Sequence, residues 1–84
     1  MKPSRLIRHA GDRAAQRGAS ASEVGKAVRE GRPEPVRDGR VMYRLNLPYN
    51  ALWQGKLYAI KQIAPIIVET DLELVVVTVL VFYF

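Results

Sequence analysis

The last eleven residues of the chain, LVVVTVLVFYF at positions 74–84, carry no charge and are mostly β-branched or aromatic. A membrane-spanning helix needs about 20 apolar residues, so this stretch is too short to cross a bilayer as a helix. β-Branched side chains are stiff about χ1 and favour extended backbone. The pattern therefore predicts a strand over residues 72–84. Because apolar residues occupy both odd and even positions, we expect this strand to be buried on both faces and central in its sheet.

The middle of the chain favours further strands joined by turns. Asp38-Gly39 is a strong hairpin signal, and the alternation of apolar and polar residues around it predicts strands at 35–37 and 40–46. Pro48, Asn50 and Gly55 indicate a looser connection. Residues 57–69 are then apolar enough to form another strand.

Two helices are predicted before the strands. Between residues 4 and 17, four apolar residues fall on one side of a helical wheel: Leu6, Ile7, Ala10 and Ala14. Gly18 follows, where a helix commonly ends. Ser20 and Glu23 have the spacing of a capping box and predict a second helix over 21–30. The whole order predicts one α+β domain, residues 1–84, with two N-terminal helices packed on a four-stranded, mainly antiparallel β-sheet.

Positive charge is concentrated in the first half of the chain. The 84 residues have a net charge of +5. Residues 1–44 contain eleven Lys and Arg against five Asp and Glu, whereas residues 45–84 contain two against three. A positive charge of this kind favours a polyanionic partner, such as nucleic acid, an acidic protein or a lipid headgroup.

The composition also excludes several kinds of chemistry. The chain has no cysteine and one histidine, His9. This excludes disulfides, Cys-ligated zinc and a cysteine nucleophile, and leaves too few nitrogen ligands for a His-rich metal centre. Since the sequence has no phosphate-binding loop or metal motif, we expect neither a cofactor nor a metal. The N-terminal residues lack an apolar signal core, so we expect a cytoplasmic protein that does not associate with membranes.

The residues from His9 to Val24 follow the pattern HA-x-x-R-x-x-x-RG-x-S-x-x-E-V, and a Val77-Thr78-Val79 strand closes the chain. This pattern resembles a widespread family of short bacterial proteins classed as a domain of unknown function. The layout is also similar to that of the RelE and BrnT toxins, which cleave RNA without a metal. The resemblance implies a metal-independent ribonuclease toxin of a toxin–antitoxin pair, with an acidic antitoxin as its protein partner. Tyr58 stands where many family members have a histidine.

RNA cleavage without a metal needs a proton carrier and cations that hold the phosphate. His9 and Arg13 are four residues apart in the predicted helix and Arg17 follows one turn later, so they share a face and are the candidate catalytic residues. Other basic and aromatic residues are candidates for binding nucleic acid. They are Arg5, Arg8, Arg40, Arg44, Lys56, Lys61, Trp53 and Tyr58.

Each of these features also has a structural interpretation. His9 can be a solvated residue at the polar edge of a helix, and Arg13 and Arg17 can lay their stems over the sheet or pair with carboxylates. Arg40 and Arg44 fit the solvated face of a hairpin. Two other functions therefore stay open. One is a non-catalytic module that binds nucleic acid or protein, and the other is a structural homo-oligomer that pairs through the apolar β half.

Overall fold

The computed structural model describes residues 2–84, which form two helices and five strands in one layered arrangement. The helices are α1 (Arg8–Gln16) and α2 (Ala21–Glu30). The strands are β1 (Ser4–Leu6), β2 (Arg32–Pro35), β3 (Val41–Trp53), β4 (Lys56–Glu69) and β5 (Leu74–Tyr83). Within residues 2–84, no helix is long and apolar enough to span a membrane.

The five strands form one mixed sheet in the order β1-β5-β4-β3-β2. β1 runs parallel to β5, and every other neighbouring pair is antiparallel. Both helices cover the same face of the sheet, α1 over β5 and α2 over β4 and β3. Their small apolar residues meet the inward side chains of β4 and β5 in a single core that includes Ala14, Val24, Ile63 and Val79.

The α+β class and the second helix are confirmed. α2 begins at the predicted capping box, because the Ser20 side chain accepts from the Glu23 amide and the Glu23 side chain accepts from the Ser20 amide. It ends at Glu30, before Gly31. Gly18 adopts a φ of 85° after α1, the left-handed conformation that favours glycine at a helix end.

The prediction of four strands and of a helix from residue 4 is wrong at the N-terminus. Ser4–Leu6 form the fifth strand, and α1 starts at Arg8. The Leu74 amide donates to the Pro3 carbonyl at 2.9 Å, and the Ile7 amide donates to the Val76 carbonyl at 3.3 Å. Backbone groups of a distant strand thus bind this segment. Leu6 and Ile7 pack against the core in this arrangement too, so their apolar character could not distinguish strand from helix.

The connection predicted between residues 48 and 55 is instead part of a long hairpin. β3 continues to Trp53, and β4 starts at Lys56. Gln54 and Gly55, with φ values of 50° and 83°, form the two-residue turn between them. A register shift between Pro48 and Ala51 marks a bulge around Asn50, whose φ is 48°. A bulge allows a strand to continue through polar, turn-forming residues.

The other strand bounds differ by a few residues. The Asp38-Gly39 turn does join two antiparallel strands, but the first of them is Arg32–Pro35 rather than 35–37. Asp38 and Gly39 have φ values of 60° and 70°, and Arg37–Gly39 form a short 3-10 turn.

The terminal strand does not have the environment that its composition predicts. On the helix-covered face of β5, Leu74, Val76 and Val79 are buried. In the part of the chain that the structure describes, no helix covers the opposite face, and Phe82 there is 38% exposed. β1 pairs with β5 at Leu74–Val76 alone, so the strand is an edge from Val77 onward. The expectation of a central strand buried on both faces is therefore wrong, because two short helices cover one side of a sheet and a three-residue strand covers part of one edge.

Gly18 provides a stability test of the junction between the helices. A Cβ atom at this position would lie 2.5 Å from the Tyr83 hydroxyl and 2.8 Å from Trp53. An alanine in the left-handed conformation costs about 1 kcal/mol or more. Gly18→Ala adds a steric clash to that cost. Gly55→Ala is the matched control, since Gly55 has a similar φ of 83° and open space around it. We expect Gly18→Ala to lower the free energy of unfolding by about 1 kcal/mol or more beyond Gly55→Ala, measured by urea unfolding. Equal losses would contradict the close packing of Tyr83 and Trp53 against Gly18.

Candidate functional site

The exposed flank of α1 runs along the open edge of β5. Arg17 fixes this orientation, because its Nη1 donates to the Val79 carbonyl at 2.7 Å. Arg13 lies one helical turn before Arg17, and His9 lies one turn earlier still, so both lie on the same flank. His9 and Arg13 are exposed. At 1.5 Å of rise per residue, the three residues span about 12 Å, and we call them the α1 flank.

A groove of about 390 Å³ opens where the α1 flank ends. Its walls come from the end of α1, from the tip of the β3–β4 hairpin and from the end of β5. Arg17 and Trp53, two of the residues singled out in the sequence, both line it. The other lining residues are Gln16, Gln54, Leu80, Val81, Phe82 and Tyr83. The structure thus brings the predicted arginine and the predicted tryptophan together.

An aromatic cluster lies beside this groove. Trp53 stacks on Tyr83 with ring centroids 4.9 Å apart and planes inclined by 13°. Tyr49 and Tyr58 approach the same Tyr83 ring at 5.4 and 5.5 Å. The Tyr83 hydroxyl donates to the Arg17 carbonyl at 2.7 Å, which joins the cluster to the end of α1. Burial, followed by the nearby Tyr49 and Glu23, raises the pKa of Tyr83 to about 12, so this hydroxyl stays protonated at neutral pH.

Lys61 holds the helical junction and does not face solvent. It is 8% exposed, and its Nζ donates to the Gly18 carbonyl at 2.9 Å and to Glu23 Oε1 at 3.0 Å. The ammonium also lies 5.3 Å from the Tyr49 ring centroid. The ammonium group that was predicted to bind nucleic acid therefore has structural partners at this junction. A buried ammonium needs such partners, and the end of α1 and the start of α2 provide them.

Glu23 combines the cap of α2 with the ion pair to Lys61. Burial alone raises the pKa of its carboxyl group. The Ser20 amide and the Lys61 ammonium outweigh that effect, so the pKa is lowered overall. The carboxylate form is therefore the one that stabilises the junction.

Two of the other predicted arginines lie on the far face of the sheet. Arg5 makes two-pronged hydrogen bonds to Glu73 at 3.0 to 3.1 Å. Arg44 pairs with Glu34 at 3.1 Å and donates to Gln62 at 2.8 Å. Their strand neighbours pack against the helix-covered core, so by alternation these guanidinium groups point away from it.

The remaining candidates are divided between two regions. Lys56 lies at the tip of the β3–β4 hairpin, beside Trp53, with its ammonium 5.6 Å from the Tyr58 ring centroid. Arg8 is exposed at the start of α1. Arg40 follows the 3-10 turn at the other side of the sheet. Some of the predicted residues therefore share one surface, which is made by α1 and the hairpin tip. Three predicted arginines lie elsewhere: Arg5, Arg40 and Arg44.

Sequence reasoning missed the groove residues Gln16, Gln54 and Tyr83. Gln16 precedes Arg17 and carries no charge that would single it out. Gln54 belongs to a turn whose position was not predicted. Tyr83 looks like one more apolar residue of the terminal strand, and its hydrogen bond joins residues 66 positions apart.

Comparisons of the chain with protein-family models, with curated protein sequences and with solved structures gave no significant match. The resemblance stated from residues 9–24 therefore stays a prediction. Among residues 2–84, no three or more His, Asp or Glu side chains are grouped so that they could hold a metal ion. The site is thus defined by its geometry: a basic flank, an adjoining groove and an aromatic cluster.

The Lys61–Glu23 pair predicts how stability depends on pH. Glu23→Gln keeps a side chain that can complete the capping box but removes the charge. The folded-state pKa of Glu23 lies below its ordinary value of 4.5, so the carboxylate stabilises the fold above that pH. This stabilisation is lost as the pH falls through the lowered pKa. We expect Glu23→Gln to cost about 1 to 3 kcal/mol at neutral pH, and the deficit to shrink as the pH falls below 4.5.

The measurement is the free energy of unfolding as a function of pH for both proteins. Glu30→Gln is the control, because Glu30 is an exposed carboxylate of the same helix and belongs to none of the ion pairs found within residues 2–84. A deficit that is independent of pH would show that the charge of Glu23 does not stabilise the junction.

Proposed function

We propose that this chain binds single-stranded RNA along the α1 flank and the adjoining groove, and that it acts there as a metal-independent ribonuclease of the toxin type. The observation that carries the proposal is that the α1 flank of His9, Arg13 and Arg17 ends at a groove that Arg17 and Trp53 both line. This surface combines cations for phosphates, an imidazole for proton transfer and an aromatic ring next to the path of the strand.

The exposed cations of this surface are available to bind phosphates. Within residues 2–84, ion pairs engage Lys2, Arg5, Arg44 and Lys61. Arg8 and Arg13 on α1 belong to none of them. Cations without a carboxylate partner can neutralise phosphates without first breaking an internal pair. Arg17 uses one N–H for the Val79 carbonyl and keeps further donors, since a guanidinium has five.

The proposed cleavage uses the 2′-hydroxyl of the RNA as nucleophile. His9 accepts the proton of that hydroxyl as the 2′-oxygen bonds to phosphorus. The bond from phosphorus to the 5′-oxygen breaks, a 2′,3′-cyclic phosphate forms, and the 5′-oxygen takes a proton from a water molecule. Arg13 and Arg17 stabilise the negative charge that builds up on the phosphoryl oxygens.

An acidic antitoxin-like protein is the partner that this proposal implies. The cations of the α1 flank would attract it, and by covering the flank it would exclude RNA. We place the protein in the cytoplasm in this proposal, where RNA and such a partner are both available.

A non-catalytic RNA-binding module is the second candidate, and the surroundings of His9 favour it. Within residues 2–84, no hydrogen bond orients the His9 imidazole, whereas an acid–base histidine is commonly held by a second group. A module of this kind would use the same cations without the proton transfer.

RNA binding is tested with Arg13→Gln and its matched control, Arg29→Gln. Both variants remove one exposed arginine from a helix, the first on the α1 flank and the second on α2. Fluorescence anisotropy with a labelled single-stranded RNA gives the affinity at several salt concentrations. We expect Arg13→Gln to weaken binding at low salt and to reduce the slope of log K against log salt by about 0.7. Arg29→Gln should leave that slope unchanged. Absence of RNA binding at low salt, or equal effects of the two variants, would contradict the proposal.

Cleavage is tested in the same samples with a chelator present. His9→Ala should retain RNA binding and lose cleavage by about two orders of magnitude or more, the range for a general acid–base group. Binding without cleavage in the wild-type protein would favour the second candidate.

A further inference from the structure

The outer edge of β5 is an unpaired run of backbone. β1 covers Leu74–Val76, and the seven residues Val77–Tyr83 have no strand beside them on that side within residues 2–84. The run contains neither a charged residue nor a proline, and a bulge lies at its start, where Val77 is the extra residue of β5 opposite Ile66 and Ile67. Charges, prolines and bulges are the usual protection of an exposed strand edge, so an edge without charge or proline is a ready template for another strand.

The hydrogen bonds identify which backbone groups are free. The Val79 carbonyl accepts from Arg17, so Val79 directs its backbone polar groups away from β4. On the opposite side, Phe84 exchanges hydrogen bonds with Ile60 of β4, through its amide and its carbonyl, both at 3.0 Å. The backbone N–H and C=O groups of successive residues point to alternate sides of a strand. Those of Val81 and Tyr83 therefore point outward, as those of Val79 do. Their amides and carbonyls have no protein partner within residues 2–84.

The groove follows this edge. It is lined by four consecutive residues of β5, Leu80 to Tyr83. Successive side chains of a strand point to opposite faces of the sheet. Four consecutive residues can therefore line the same groove only if the groove runs along the edge of the strand. The groove therefore lies where an added strand would lie.

The groove has different chemistry on the two sides of β5, apart from the hairpin tip that also lines it. On the helix-covered side, an added strand would meet Arg17, which lines the groove. Helical spacing places Arg13 one turn earlier on the same flank of α1. On the other side the added strand would meet Leu80 and Phe82, which line the groove. Among the described residues 2–84, no carboxylate lines the groove. An extended segment that alternates acidic and apolar residues would direct its carboxylates to the arginines and its apolar side chains to Leu80 and Phe82.

We propose that the edge of β5 from Val77 to Tyr83 is a docking site for an extended segment of a partner protein, which adds as a further strand and alternates acidic and apolar residues. Charge favours such a partner over a second copy of this chain. Pairing of β5 with β5 of another copy would bring both α1 flanks to one seam and oppose their arginines.

The probe is a synthetic peptide of alternating glutamate and valine, about seven residues long to match Val77–Tyr83. We expect it to bind the intact chain, and to protect the amides of Val79, Val81 and Tyr83 from hydrogen exchange. The amides of α2 serve as internal controls. The same peptide with lysine in place of glutamate should bind at least tenfold more weakly, because it presents cations to Arg13 and Arg17.

Val81→Pro tests the backbone contact. It removes an outward amide and leaves the hydrogen bonds between β4 and β5 in place. Val81→Ala is the matched control, because it shortens the same side chain and keeps the amide. We expect at least a tenfold loss of peptide affinity in Val81→Pro relative to Val81→Ala.

A second measurement uses the wild-type chain and stays informative if Val81→Pro does not fold. N-methylation of alternate peptide amides in one register should abolish binding, and methylation in the other register should preserve it. Four results would overturn the proposal: no binding, equal binding of the lysine peptide, binding insensitive to methylation in both registers, or a chain that sediments as a dimer with these amides already protected.

Competition with RNA is a consequence that rests on the proposed function. The peptide would contact Arg13 and Arg17, so it should displace bound RNA. The peptide measurements contain no RNA. Failure of RNA binding therefore leaves the docking site standing, and failure of the docking site leaves RNA binding standing.

Discussion

The arrangement of this small protein depends on how the junction between α1 and α2 is fixed to the sheet. Lys61 of β4 donates to the Gly18 carbonyl and pairs with Glu23, while Tyr83 of β5 donates to the Arg17 carbonyl. Two neighbouring strands thus bind the carbonyl groups left free at the end of α1, which a helix cannot satisfy by itself. The left-handed glycine lets Trp53 and Tyr83 pack directly against the turn. This contact determines where α1 lies.

Because α1 is anchored at its C-terminal end, its basic flank lies along β5. The same anchoring limits what the helices can cover. Two helices of nine and ten residues occupy one face of the sheet, and β1 covers three residues of one edge. The rest of that edge stays open beside the arginines. The proposed RNA surface and the proposed docking site therefore share one origin, the position of a short helix over the last strand.

Residues that act through neighbours in sequence were predictable. The capping box of α2 and the left-handed Gly18 depend on contacts within a few residues, and both are found as expected. His9, Arg13 and Arg17 share a flank because helical spacing requires it. By contrast, charge alone could not separate Arg13, which is exposed, from Lys61, which is buried with Glu23. Arg5 and Arg44 likewise have acidic partners 68 and 10 positions away, at distances along the chain that composition does not reveal.

The sequence by itself determined the helical pair, the α+β class, the concentration of positive charge in the first half and the strand character of residues 74–84. These follow from local backbone preferences, from side-chain periodicity and from composition. The tertiary structure decided that Ser4–Leu6 is a strand, that β3 and β4 form one long hairpin and that β5 is an edge from Val77 onward. Each of those outcomes depends on hydrogen bonds between distant backbone segments. A strand's neighbours are set by the competition of all segments for the same edges, and no stretch of sequence carries that information alone.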